Sequence, residues 1–373
     1  MTIDERTPKN AEQVVAALRE LYGRYGYTQY KMSKFEEYDL YMRNKDFLVG
    51  DGVITFTDTD GKLMALKPDV TLSIVKNSKD GVMQKVYYHE NVYRISRSTH
   101  TFKEIMQTGL ECIGDIDTYA TAEAVTLAKK SLAVIGRDYI LDISHLGVLS
   151  AVIGELGLPT EAKKAIITCV GEKNVHGMHA ICLENGVDEK EAETIVSLVG
   201  IYGEPRRALE KLSALPLCEA AKDALTELHD VIEALDASGE LAGVNVDFSV
   251  TGDMNYYSGI VFRGFIEGIP DSVLSGGRYD KLMEKMGRRT GAIGFAVYLD
   301  LLERLDTNKK EFDTDILLLY GKDDAPGAVL RAVSDLSGGG LRVLAVKKRP
   351  EHIRYRALVI FRNGGFEFLE KND

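Results

Sequence analysis

Val86-Tyr-Tyr-His-Glu-Asn-Val-Tyr-Arg-Ile95 and Glu104-Ile-Met-Gln-Thr-Gly-Leu-Glu-Cys-Ile113 are two apolar-rich runs separated by residues 96–103. Both are rich in β-branched and aromatic side chains and read as the two strands of a hairpin. A helical stretch, Thr118 to Ala133, follows. Strand, strand, helix in this order favours an antiparallel α+β sheet over a parallel one. The same pair carries polar groups. Gln107 and Glu111 lie four apart and share one face of a strand, and Arg94 sits on the strand before them. Arg, Gln and Glu on one face suit a zwitterion, because Arg grips a carboxylate with two prongs and Glu accepts from an amine or ring N–H. A solvated face with a cross-strand ion pair would show the same residues.

Outward from this hairpin, Asn10 to Tyr25 has apolar residues at helical spacing with Asn10 as the cap, and Gly26 stops it. Tyr27 to Met32 reads as a strand. Ile54–Thr57 and Leu63–Leu66 flank Thr59-Asp60-Gly61, a hairpin signal, and a helix can begin near Thr71. From His145 to Ser238 the chain is rich in Ala, Leu, Glu and Lys and reads as helices between Gly-Leu-Pro, Asn-Gly and Gly-Glu-Pro breaks. Strand patterns return at Asn245–Thr251 and Ser258–Ile266, and Gly291 to Leu305 reads as a helix led by glycine. After a charged linker, Asp306 to Phe312, a small α/β module has strands at Ile316–Tyr320, Leu341–Val346 and Ala357–Phe361 and a helix near Ala328–Leu336. The expected organisation is a core of residues 1–144 and 239–306, a helical insertion at 145–238 and a module at 313–373.

The 373 residues carry 45% hydrophobic and 28% charged side chains, ordinary for a globular chain with a sizeable core. That excludes a disulfide scaffold, collagen and disorder throughout. The formal charge of −11 repels nucleic-acid phosphates at long range. The four cysteines form no C-x-x-C pair, so neither a metal site nor a redox motif is expected. Without a signal-peptide pattern or an apolar run of about 18 residues, the expectation is a soluble, cytoplasmic protein without a membrane partner.

Two further segments concentrate polar groups. In Ala65-Leu-Lys-Pro-Asp-Val-Thr71 a carboxylate and a hydroxyl sit two apart at a strand-to-helix turn, placed either to meet an ammonium group or to cap the helix. Asp253-Met-Asn-Tyr-Tyr-Ser-Gly259 and Ser275-Gly-Gly-Arg-Tyr-Asp280 set paired tyrosines beside glycines, leaving room for a small ligand. The glycines fit an anion-binding turn and an ordinary tight turn equally well.

Taken in order, these segments resemble histidyl-tRNA synthetase, a class II aminoacyl-tRNA synthetase, over residues 1 to about 305. Ala65–Thr71 is similar to the family's L-R-P-E-G-T. Val92-Tyr-Arg94 through Gln107-Thr-Gly-Leu-Glu111 is similar to motif 2 and the H-Q-x-G-x-E after it. Asn255-Tyr-Tyr-Ser-Gly-Ile-Val-Phe262 resembles D-Y-Y-T-G-T-V-F. Gly276–Asp280 and Gly294-Phe-Ala296 resemble G-G-R-Y-D and the start of motif 3. The resemblance implies a class II sheet core flanked by helices. It also implies a histidine site: Asp69, Thr71 and Gln107 on the α-amine, Arg94 on the carboxylate, Glu111 and Tyr256 on the two ring nitrogens, and Tyr257 lining the pocket. Asp69 stands in for Glu, one methylene shorter.

The activation groups depart from the family. Its R-G-L-D-Y-Y frame is Gly252-Asp-Met-Asn-Tyr-Tyr257 here, so the cation is missing. Motif 2 reads Arg94-Ile-Ser96 instead of R-x-E, and the loop from Arg97 to Thr101 lacks G-R-x-R. Tyr298 stands where motif 3 has a small residue, and Leu301 where it has arginine. Arg304 offers an arginine three residues late. The module is shorter than the family's anticodon-binding domain, and its one basic run is Lys347 to Arg356. A histidine pocket without adenylation groups resembles the ATP phosphoribosyltransferase regulatory subunits, paralogues of the synthetases. That resemblance implies a non-enzymatic subunit of histidine biosynthesis without a cofactor and without tRNA. It would form a homodimer core within a hetero-oligomer with a short-form catalytic subunit, and L-histidine would be the feedback effector. A divergent histidine–tRNA ligase using Arg263, Arg278 or Arg304, and an amino-acid-binding module of another pathway, are the alternatives.

Overall fold

The computed structural model describes residues 11–48, 52–95, 100–136, 138–252, 254, 256–304, 312–362 and 365–372, with the side chains of 303 and 304 outside that description. The expected cap Asn10, Ser96 and Arg97, Asp253 and Asn255, the Arg304 side chain and linker residues 306–311 therefore lie outside the described residues. The chain divides into two compact units, 1–305 and 306–373.

The first unit is built on a sheet of nine described strands. Their order is Thr28–Gln29, Gln84–Ile95, Phe102–Gly114, Gly291–Tyr298, Leu274–Arg278, Ile260–Ile266, Tyr139–His145, Val244–Asp247 and Tyr202–Gly203. The pairs from Gln84–Ile95 across to Tyr139–His145 are all antiparallel, which makes the class II α+β architecture the one observed. The hairpin sets Val86 opposite Glu111, Glu90 opposite Gln107 and Arg94 opposite Lys103.

The pleat gives the sheet two different faces. Leu110, Cys112, Ile293, Phe295, Phe262 and Ile143 point to one side, where the helices Ala11–Arg24 and Thr118–Ile135 bury them. The Tyr22 hydroxyl meets Ser131 Oγ at 2.9 Å between those helices. The alternate residues, including Glu111, Gly109, Gln107, Gly294, Ala296, Tyr298, Ser275 and Arg263, share the opposite face.

A second, three-stranded sheet orders Phe35–Glu37, Leu63–Leu66 and Thr55–Thr57. Asp58 Oδ1 accepts from the N–H groups of Asp60 and Lys62 at 2.9 and 2.8 Å and closes the turn, with Gly61 at φ +81°. Helix Thr71–Asn77 follows. Residues 146–237 fold into six described helices, from Leu146–Glu155 to Glu219–Ala237, whose apolar residues join the same core as the sheet. Among the described residues no helix is long and apolar enough to cross a membrane. The second unit has parallel strands Val343–Val346, Thr314–Leu319 and Tyr355–Arg362, an antiparallel edge strand Gly365–Lys371, and helix Pro326–Ser337.

Three expectations need correction. Gly291 to Leu305 is not a helix: it is strand Gly291–Tyr298 followed by a 3-10 turn, Leu299–Arg304. Ile293, Phe295 and Val297 alternate with Gly294, Ala296 and Tyr298, and that period of two outweighs the helix-forming Leu-Leu-Glu-Arg at the end. The strand expected over Tyr27–Met32 shrinks to Thr28–Gln29, and that over Asn245–Thr251 to Val244–Asp247. The exposed strand Gly365–Lys371 escapes the sequence pattern, because neither of its faces is buried.

Leu132 is fully buried, and a Cβ on Gly264 would come within 2.7 Å of both its methyl carbons. Leu132→Ala should therefore open a cavity between helix and sheet and cost about 2–5 kcal/mol, read as a lower urea midpoint for the first unit.

Candidate functional site

The site lies on the open face of the large sheet, in a cavity of about 780 Å³, within the ordinary range for small-molecule sites. Asp69, Thr71, Arg94, Gln107, Glu111, Tyr256 and Tyr257 all line it. The structure thus gathers every site residue expected from sequence into one cavity, from four separate stretches of chain.

Missing side chains make the space. A Cβ on Gly109 would lie 2.1 Å from the Phe295 carbonyl oxygen, and one on Gly294 would lie 1.8 Å from Glu111 Oε2. The small residues leave room for their neighbours: Tyr88 lies over Gly109, and Glu111 lies flat across Gly294, its partner in register.

Glu111 is 2% exposed, and each of its oxygens accepts a hydroxyl: Thr71 Oγ1 at 2.8 Å and Tyr279 OH at 2.7 Å. Burial pushes its carboxyl up to about 8, and the two hydroxyls pull against that rise. Tyr279 and Tyr256 are raised well above the ordinary phenol value, mainly by burial, so both stay protonated and serve as donors. The Tyr256 ring lies 5.7 Å from Tyr279, 4.7 Å from Tyr257 and 6.2 Å from Phe47.

The turn from Lys67 to Thr71 forms a second wall. Tyr93 N donates to the Lys67 carbonyl at 2.9 Å and Arg94 Nε to the Pro68 carbonyl at 3.0 Å, which docks the turn on the neighbouring strand. Fully buried Lys67 pairs with Glu90 at 3.0 Å, and burial lowers its pKa against the pull of that partner. Asp69 Oδ1 accepts from Leu72 N at 2.9 Å, so Asp69 caps the helix and lines the cavity at once. Burial raises its carboxyl, while the backbone donors and Arg94 hold it down.

Beyond Gln107 the wall turns cationic. Lys103 and Arg263 line it with Ser272, Ser275 and Tyr298, and neither cation is ion-paired to a described residue. Gly252 sits at φ +55°, and a Cβ there would meet the Tyr257 ring at 2.9 Å. A side chain at 252 is thus opposed both by backbone strain and by Tyr257.

Sequence reading missed Tyr279 and Tyr88. Tyr279 stood inside Gly276-Gly-Arg-Tyr-Asp280, a signal that was available. Tyr88 faces the cavity only because it pairs with Gly109 in register, which composition does not reveal. The basic run of the second unit is largely neutralised: Arg349 pairs with Glu370 at 3.4 Å and Arg354 with Asp313 at 3.3 Å, while Arg356 reaches Asp315 at 3.8 Å.

Comparison with known proteins agrees with this architecture. The histidyl-tRNA synthetase family model matches residues 2–302. An ATP phosphoribosyltransferase regulatory subunit of Clostridium kluyveri is 31% identical over 87% of this chain and 86% of its own. Among solved structures, an ATP phosphoribosyltransferase regulatory subunit/histidyl-tRNA synthetase from Bacillus halodurans superposes with a TM-score of 0.74 at 22% identity, covering 92% of this chain and 93% of that one. A chain of the ATP phosphoribosyl transferase HisG:HisZ complex from Thermotoga maritima gives 0.61 at 18% identity, over 78% and 97%. At these identities the two structural likenesses are likenesses of fold.

Glu111 yields a signed pH prediction. Its native carboxyl keeps a proton up to about pH 8, whereas the unfolded one loses it near its ordinary 4.5. Its contribution to stability therefore falls as pH rises between those values. Glu111→Gln has no such proton, so the stability of E111Q relative to wild type should climb from pH 5 to pH 8 in unfolding titrations. A flat difference would mean that Glu111 is ionised in the native protein.

Proposed function

The chain belongs to the ATP phosphoribosyltransferase regulatory-subunit family, on the class II histidyl-tRNA synthetase fold, and we propose that it is a non-catalytic subunit that binds L-histidine and passes its occupancy to a short-form catalytic subunit. One observation carries the reading. Glu111, buried and held by two hydroxyls, sits four residues along one strand from Gln107, with Arg94 and Asp69 on the adjoining walls. Four residues of strand span about 13 Å. That matches a ligand with a basic ring at one end and an ammonium and carboxylate at the other.

In this reading Glu111 and Tyr256 take the ring nitrogens, Tyr257 lines the ring, Asp69, Thr71 and Gln107 take the α-amine, and Arg94 takes the carboxylate. Adenylation needs fixed cations against ATP's phosphates. Gly252, whose neighbour Tyr257 leaves no room for a longer side chain, supports a site that holds the amino acid without activating it. The neutralised basic run of the second unit fits a protein that does not take tRNA. Exposed Phe35 and Phe56, with rings 5.2 Å apart, and exposed Leu63 and Met42 support a homodimer contact through the second sheet, within a hetero-oligomer with the catalytic subunit. The proposed place of work is the cytoplasm. Histidine inhibits such an assembly only by binding its inhibited state more tightly than its active one.

The test combines calorimetric titration with L-histidine and histidine-dependent ATP–pyrophosphate exchange on one sample. Saturable binding without exchange is the expected result, and robust exchange would identify a synthetase instead. The pH dependence should be bell-shaped. The complex holds one proton between Glu111 and the ring. Free protein and ligand together hold two protons below the ring's pKa of about 6.5, one between there and about 8, and none above. Affinity should therefore be highest between about pH 6.5 and 8 and weaken on both sides. An affinity that rises steadily with pH would argue against a shared proton.

A further inference from the structure

Glu111, Gln107 and Lys103 recur every four residues on the cavity face of strand Phe102–Gly114. A histidine with its ring at Glu111 puts its amino and carboxyl groups near Gln107. It leaves the next interval, toward Lys103, unfilled. In register, Gly109 and Ala296 lie between Glu111 and Gln107, beneath the histidine itself, and Ile105 borders the interval beyond.

Tyr298 flanks the point where an extension through the carboxyl group would begin. It pairs with Gln107 in register, so its ring rises from the same face beside it. Its hydroxyl meets Ser275 Oγ at 2.8 Å on the next strand, which pins the ring across the sheet. Arg263, opposite Ser275, and Ser272 lie on the far side of that bond. We infer that Tyr298 determines specificity: its ring, tied to Ser275, closes the carboxyl end of the site, so that the free amino acid is accepted and esters and bulky amides are refused. The inference rests on the reading of the cavity as a histidine site.

The test is a competition titration of full-length protein with L-histidine, L-histidinamide and L-histidine benzyl ester. The amide removes the carboxylate charge without adding bulk, and the ester removes it and adds bulk. The ratio of their affinities therefore isolates bulk. Wild type should bind the ester at least tenfold more weakly than the amide, and Tyr298→Phe, which keeps the ring but loses its bond to Ser275, should shrink that ratio at least threefold. Tyr298→Ala should shrink that ratio at least tenfold. Should Tyr298→Ala fail to fold, Ser275→Ala decides, because it unpins the ring without removing it and should shrink the ratio at least threefold. Equal binding of ester and amide by wild type, or a ratio that no variant moves, overturns the role of Tyr298 alone. If wild type binds neither L-histidine nor its amide, the histidine reading fails and the inference falls with it.

Discussion

The site depends on one buried carboxyl group lying flat on a glycine. Glu111 occupies the space a Cβ at 294 would need, since such an atom would lie 1.8 Å from Oε2. Position 294 is therefore closed to every side chain while Glu111 keeps this pose. The carboxyl is also out of water, and a buried polar group without partners is costly. Thr71 and Tyr279 supply the partners, one to each oxygen. Each must be delivered by its own stretch of chain. Thr71 is there because the Lys67–Asp69 turn is docked by Tyr93 and Arg94. Tyr279 is there because Ser258 brackets it, its N–H donating to the Arg278 carbonyl and its Oγ accepting from Asp280 N. The segment that carries Tyr256 and Tyr257 is thereby hydrogen-bonded, through Ser258, to the strand end that carries Tyr279.

The electrostatics of the cavity follow from the same burial. Lys67 and Glu90 form a buried pair beside the site, and such pairs add little net stability because desolvation offsets the attraction. Its role is better understood as geometric: it holds the turn that presents Asp69 and Thr71. Among the described residues no cation is bonded to Glu111, and burial raises its pKa against only the pull of the two hydroxyls. A ligand with a basic ring brings the missing positive charge with it. Glu111 is thus unbalanced in the sense that such a ligand corrects, whereas a neutral or acidic side chain would leave it as it was.

Much of this was legible in the chain. The hairpin and its register follow from two strand-forming runs, and once those pair, Gln107 and Glu111 must share a face with Arg94 close by. Asp69 and Thr71 were visible as a polar pair at a strand-to-helix turn, although pattern alone could not separate capping from ligand contact, and Asp69 does cap the helix. What local pattern could not supply was the fate of Gly291–Tyr298. Read forward, glycine followed by Leu-Leu-Glu-Arg suggests a helix start. In the fold, a long antiparallel strand beside it offers hydrogen bonds along its whole length, and the alternation of Ile293, Phe295 and Val297 settles into the core. That reading also hid the place of Tyr298 in the site, because only a strand puts it beside Gln107. Tyr88 and the close approaches to Gly109 and Gly294 were hidden for the same reason: they depend on pairings between strands far apart in sequence.

The proposal of an effector site on a rigid sheet raises the question of how occupancy would matter elsewhere. To move a two-state assembly from 1:99 to 99:1, a ligand must favour one state by about 5.5 kcal/mol. In a homodimer two sites share that load, so each needs roughly half. A hydrogen bond to a charged group contributes about 1.5–3 kcal/mol. One or two such bonds made in one state and lost in the other therefore suffice, and the sheet itself need not move. The groups best placed to differ are those borne on short connections rather than on strands. Tyr256 and Tyr257 lie on the connection between Val244–Asp247 and Ile260–Ile266, and Ser258 bonds that connection to the strand end beneath it. Glu111, Gln107 and Arg94 are fixed by the central hairpin and would read the ligand identically in both states. On the proposed reading the labour would divide accordingly: the sheet would supply affinity, and the connection would supply the difference between states that regulation requires.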